Sequence, residues 1–99
     1  MNLDQEIARI LAPVRPRLVI LFGSRARAEA DDASDVDLIV VYRTEKRFLD
    51  RLEEFYSLWD LPLAVDILAY TPEEFDEMRL QSALVGDALE HGRIILEAA

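Results

Sequence analysis

Cysteine is absent from the 99 residues, which rules out a disulfide framework and a thiolate metal site and leaves oxygen donors to hold any bound ion. Magnesium is the natural candidate. No run of about 20 apolar residues occurs, and "MNLDQEIARI" carries acids where a secretory leader is basic, so a soluble cytoplasmic protein with no membrane partner is expected. Basic residues are scarce: 11 Lys and Arg stand against 20 Asp and Glu, a formal charge of −9. Such a surface repels a bare nucleic-acid backbone, so non-specific DNA or RNA binding is disfavoured. It also repels a nucleoside triphosphate unless cations and local donors intervene. Histidine occurs once, His91, in the last turn of an expected helix, where it faces the helix dipole and is not a general base.

What is present is 52% hydrophobic and 31% charged, enough for one domain over residues 1–99 with one core and therefore one site. No internal repeat, linker or low-complexity tract interrupts it. Leu3, Ile7, Ile10 and Leu11 share a helical face that Pro13 and Pro16 end. "RLVILF" (Arg17 to Phe22) reads as a buried strand, and "GSRARAEA" as a turn opening a short helix. A strand over Val36 to Tyr42 precedes a helix from about Glu45 to Leu58 with Phe48, Leu49, Leu52, Phe55 and Tyr56 inward, closed by Trp59. With Phe75, these aromatics read as core at helical spacing, not as a base-stacking platform. "LPLAVDILAY" (Leu61 to Tyr70) is a third strand. Thr71, Pro72 and Glu74 form a capping box that starts another helix. A last short helix ends at His91, with Gly92 expected as its left-handed cap, and "RIILE" is the final strand. The fold class is α/β (α+β), a mixed sheet of about four strands with helices packed on it. Strand order is not readable from the sequence.

Asp35 and Asp37 stand at the start of an otherwise apolar strand, two apart, so their carboxylates share a face a few ångströms from each other. Like charges that close resist joint ionisation unless a divalent cation sits between them. Asp66 is equally out of place among Leu63, Ala64, Val65, Ile67 and Leu68, and an ionised Asp is rarely buried without a partner. On a neighbouring strand it would complete a triad of carboxylates; otherwise it pairs with an arginine such as Arg93. Gly23 and Ser24 follow a buried strand at a helix start, where backbone N–H groups favour phosphate, and Arg25 and Arg27 add positive charge. The plainer alternatives are a solvated loop in "DDASD", and surface pairs between the two arginines and the acids of "EADD". At roughly 5–7% usage of each residue, Gly-Ser followed after ten positions by Asp-x-Asp arises by chance in about one chain in a thousand of this length.

That pattern, Gly23, Ser24, ten residues, Asp35, Val36, Asp37, resembles the signature of the minimal nucleotidyltransferases within the nucleotidyltransferase superfamily. "AVDIL" is similar to the segment carrying that family's third carboxylate, and "ALEHGRIIL" to its closing helix and strand, so the likeness runs nearly the whole chain. Ala28 departs from the signature, which has glycine after the second arginine.

The resemblance implies a nucleotidyltransferase fold in which Asp35 and Asp37 bind two Mg²⁺, and Asp66 binds one and draws the proton from an acceptor hydroxyl. It also implies that Gly23, Ser24 and Arg25 form the nucleotide-binding turn, with ATP as donor and pyrophosphate leaving. Larger relatives carry extra domains for the acceptor, and this chain is expected to stop at the catalytic module, so either another polypeptide supplies that surface, in a homo- or hetero-oligomer, or the acceptor is itself a protein that docks on the open face. Members of the family pair with a HEPN-domain ribonuclease toxin as its antitoxin and attach AMP to its tyrosine. Two alternatives stand beside that expectation: a small-molecule acceptor such as an aminoglycoside, held by a separate subunit, and a non-catalytic antitoxin that acts by docking.

Overall fold

Four strands and four α-helices follow one another in the computed structural model, which describes residues 2–27 and 34–98. Helix α1 (Leu3–Leu11) is capped by Asn2, whose Oδ1 accepts from Gln5 N at 3.1 Å, and buries Ile7, Ile10 and Leu11. Pro13 falls in a single 3₁₀ turn (Ala12–Val14), after which Arg15, in the left-handed region at φ 53, swings the chain into strand β1 (Leu18–Phe22). Then come β2 (Val36–Val41), α2 (Phe48–Leu58), β3 (Val65–Tyr70), α3 (Pro72–Gln81), α4 (Ala83–His91) and β4 (Arg93–Glu97). Thr71 and Glu74 close the expected capping box on α3.

The sheet order is β3-β2-β1-β4. β1 is antiparallel to both β2 and β4, whereas β2 and β3 are parallel and joined by the crossover helix α2. Alternation along the strands sorts the core into two layers. Val19, Leu21, Val36, Leu38, Val40, Ile67 and Ala69 pack with α1 and Phe55 of α2 on one face. Ile20, Ile39, Val41 and Tyr70 pack with Phe75, Val85 and Ala88 of α3 and α4 on the other. Among the described residues, no helix is long and apolar enough to cross a membrane.

Several local expectations are corrected. Helix α2 begins at Phe48, not Glu45, because Thr44 Oγ1 accepts from Lys46 N at 3.1 Å and holds a turn there. Leu49 and Tyr56 face solvent, and Phe48 is also exposed. At about 100° per residue, Leu49 and Tyr56 lie a quarter turn or more from Phe55, and a helix on one edge of a sheet buries only a narrow stripe. β3 starts at Val65 because Pro62 sits in a bend that Trp59 Nε1 braces by donating to Leu63 O at 2.8 Å. Gly92 is extended (φ −78, ψ 175) and not left-handed. Glycine is needed there for close approach, since a Cβ would come within 2.8 Å of Ile20 Cγ2 and 2.9 Å of Leu21 O.

Sequence reading gave no hint of Arg51, which is 5% exposed. Its Nε donates to Lys46 O at 2.9 Å, its Nη1 to Ala69 O at 3.0 Å, and the fork meets both oxygens of Glu74 at 2.6 and 3.2 Å. This buried clip joins α2, β3 and α3 at the end of the sheet where β2 and β3 finish.

Candidate active site

The opposite end of the sheet, where β1 finishes and β2 and β3 begin, collects the carboxylates. Phe22, Asp37 and Asp66 are register partners across β1, β2 and β3. Paired residues of neighbouring strands project to one face, so Asp37 and Asp66 lie side by side on the face that α3 and α4 cover farther along. The alternative pairing of Asp66 with Arg93 does not occur: Arg93 Nη2 donates to Asp4 Oδ1 at 2.9 Å.

Asp35, exposed, stands one residue before β2. Burial pushes the Asp37 carboxyl up from its ordinary value, and the charges of Asp66 and then Asp35 push it further. Asp37 therefore feels the charge of both other acids, although Asp66 is 29 positions beyond it in sequence.

Gly23 follows β1 directly with φ +74, and a Cβ there would collide with the Asp37 carboxylate. Ser24 is the next residue of the turn. The expected short helix is not present through Arg27: Ala26 N donates to Gly23 O and Arg27 N to Ser24 O, both at 3.1 Å, making overlapping four-residue turns. Ala28 and the remainder of that expected helix lie outside the described residues. Among the described residues the bend therefore offers turn N–H groups and the Ser24 hydroxyl as donors.

The two arginines of the turn bond to different elements. Arg25 Nε donates to Ser34 O at 2.9 Å, and Arg27 Nη2 to Asp87 Oδ2 of α4 at 2.8 Å. Sequence reasoning missed Asp87 and Ser34 as partners, and a salt bridge spanning 60 positions has no spacing signal. His91 Nε2 stands 3.9 Å from carboxylate oxygens of Asp87 and Glu90 at the end of α4. A cleft of about 320 Å³ lined by Arg43, Thr44, Thr71 and Glu73 lies beyond the far ends of β2 and β3, away from the carboxylates.

Among the described residues, no three acidic or histidine side chains are gathered closely enough as they stand to hold one ion. The donor chemistry nonetheless fits a hard divalent cation. Asp35, Asp37 and Asp66 supply oxygens only, and a cation at Asp37 would offset both the repulsion and the desolvation that raise its pKa.

Comparison with known proteins gives a consistent picture. The family described as "Polymerase beta, Nucleotidyltransferase" matches residues 5–98. A probable protein adenylyltransferase MntA of Haemophilus influenzae is 44% identical over 61 residues, 58% of this chain and 54% of that protein. The chain thus spans about half the length of this curated relative. Among solved structures, a toxin–antitoxin crystallised with AMP-PNP aligns with a TM-score of 0.67 at 21% identity, over 99% of this chain and 75% of that one. A mutant of the toxin–antitoxin MntA–HpeT aligns at 0.62 and 19% identity, over 96% and 73%. A putative nucleotidyltransferase from Sulfolobus solfataricus gives 0.56 at 24% identity, over 76% and 68%. At these identities the solved structures show a shared fold.

Proposed function

The chain belongs to the polymerase beta nucleotidyltransferase family, and from that premise we propose that it transfers AMP from ATP to a hydroxyl of a partner protein, a tyrosine of a HEPN-class toxin that it neutralises. The observation that carries this reading is the register of Asp37 with Asp66 on parallel strands, with Gly23 turned against the Asp37 carboxylate.

In this reading Asp35, Asp37 and Asp66 would hold two Mg²⁺, which when bound would supply charge neutralisation for the triphosphate. The turn at Gly23 and Ser24 binds the β- and γ-phosphates through backbone N–H groups and the serine hydroxyl, and Arg25 keeps that turn in place. Asp66, exposed where Asp37 is half-buried, accepts the proton of the acceptor hydroxyl. The hydroxyl oxygen attacks the α-phosphorus, the bond from that phosphorus to the bridging oxygen breaks, and pyrophosphate leaves with its electrons. The likeness to an adenylyltransferase and to toxin–antitoxin assemblies supports ATP as donor and a toxin as acceptor.

The test is co-expression with a candidate toxin and mass spectrometry of the co-purified partner. One or more added AMP groups on tyrosine, lost in an Asp35→Ala/Asp37→Ala variant, is the expected result. An unmodified partner that is still neutralised by the double variant would replace chemistry with stoichiometric docking.

A further inference from the structure

The Gly23–Ser24 bend belongs to no helix or strand, yet the phosphates of a nucleotide would have to meet it at a fixed distance from the carboxylates. Its internal bonds, Ala26 N to Gly23 O and Arg27 N to Ser24 O, shape the bend but do not place it in the molecule. Gly23 against Asp37 fixes one point. Two further tethers come from the arginines. Arg27 reaches α4, donating to Asp87 Oδ2 at 2.8 Å, and Arg25 crosses to Ser34 O at 2.9 Å, the residue immediately before Asp35.

We infer that Arg27 and Asp87 form a positioning pair that pins the phosphate-facing bend to α4, while Arg25 fastens the same bend to the lead-in of Asp35. The side chains of Arg27 and Asp87 are 47% and 51% exposed, so the pair is worth a few-fold in the population of the correctly placed bend and weakens with salt. It tunes the site without creating it. Asp87 carries the argument: the Arg27 guanidinium already has a carboxylate partner on α4 in the structure, 60 positions away in sequence. The consequence for nucleotide binding rests on the function proposed above, but the pinning itself is readable without nucleotide.

The experiment follows hydrogen exchange at the Ala26 and Arg27 amides of the full chain, with AMP-PNP affinity in magnesium measured alongside. Arg27→Ala and Asp87→Ala are each expected to speed exchange about two- to five-fold at low salt and to weaken AMP-PNP by a similar factor. The swapped variant Arg27→Asp/Asp87→Arg restores both, and the differences shrink in about 1 M salt. Unchanged exchange in both single variants would overturn the inference. So would a loss of AMP-PNP affinity in Arg27→Ala that Asp87→Ala does not share and the swap does not repair, because Arg27 would then touch phosphate itself. A wild-type chain that ignores AMP-PNP would remove the nucleotide reading while the exchange data still decide the pinning.

Discussion

The two ends of the four-stranded sheet handle charge in opposite ways. Where β2 and β3 finish, Arg51 is buried but meets both oxygens of Glu74 and two backbone carbonyls, and Glu74 also caps α3. Tyr42 adds its hydroxyl to Glu54 at 3.1 Å. Where β2 and β3 begin, Asp37 faces Asp66 across the strands with Asp35 nearby, and its pKa rises from burial and like charge. The first end uses charge to join elements. The second end holds unfavourable charge in place, which natural folds tolerate where a ligand resolves it.

Removing the paired end should have the largest effect. Arg51→Met leaves Glu74 and Ala69 O without their buried partner, with an expected loss of roughly 3 kcal/mol in urea unfolding at neutral pH. The deficit narrows in acid. Glu74 is held below its ordinary value chiefly by its hydrogen bond to Arg51, so the stability it contributes is present above that value and is lost as pH falls through the depressed one. A deficit independent of pH would place the clip's value in packing alone.

Gly23→Ala tests the carboxylate end through its backbone. The left-handed φ and the collision with the Asp37 carboxylate predict a loss of about 1–3 kcal/mol. Part of that loss should vanish in an Asp37→Ala background, where the colliding group is gone. Full retention there would assign the cost to φ alone.

Asp37→Asn should have the smallest effect and the opposite sign. Relieving like charge across β2 and β3 predicts a gain of about 0.5 kcal/mol without divalent cations, read by urea unfolding. A loss would mean that Asp37 has a stabilising partner and that the two ends do not differ as described.

Legibility in the sequence followed the same division. The carboxylate end was readable because Asp35, Asp37 and Asp66 interrupt apolar strands, and because Gly-Ser and Asp-x-Asp keep a fixed spacing. The presence of the four strands, the capping box at Thr71 and the closing strand were readable for similar reasons of period and punctuation, although the third strand begins four residues later than its apolar run suggested. The paired end was not, since Arg51 and Glu74 look like ordinary members of charged helices until the fold brings them together. Helix α2 misled because Leu49 and Tyr56 fit an apolar face wider than an edge position on the sheet can bury. Gly92 misled because close packing on Ile20 and Leu21, rather than a left-handed turn, demands glycine there. Arg27 found its partner 60 positions away, which no local pattern announces.

The central claim is that Asp66, distant in sequence, shares one cation and nucleotide site with Asp37 and the Gly23–Ser24 bend. Calorimetric titration with AMP-PNP, with and without magnesium, compares the wild-type chain with Asp66→Asn, an exposed position where the fold should survive. The account predicts magnesium-dependent binding that weakens at least about ten-fold in the variant. Binding of equal strength in both, or binding indifferent to magnesium, would contradict it.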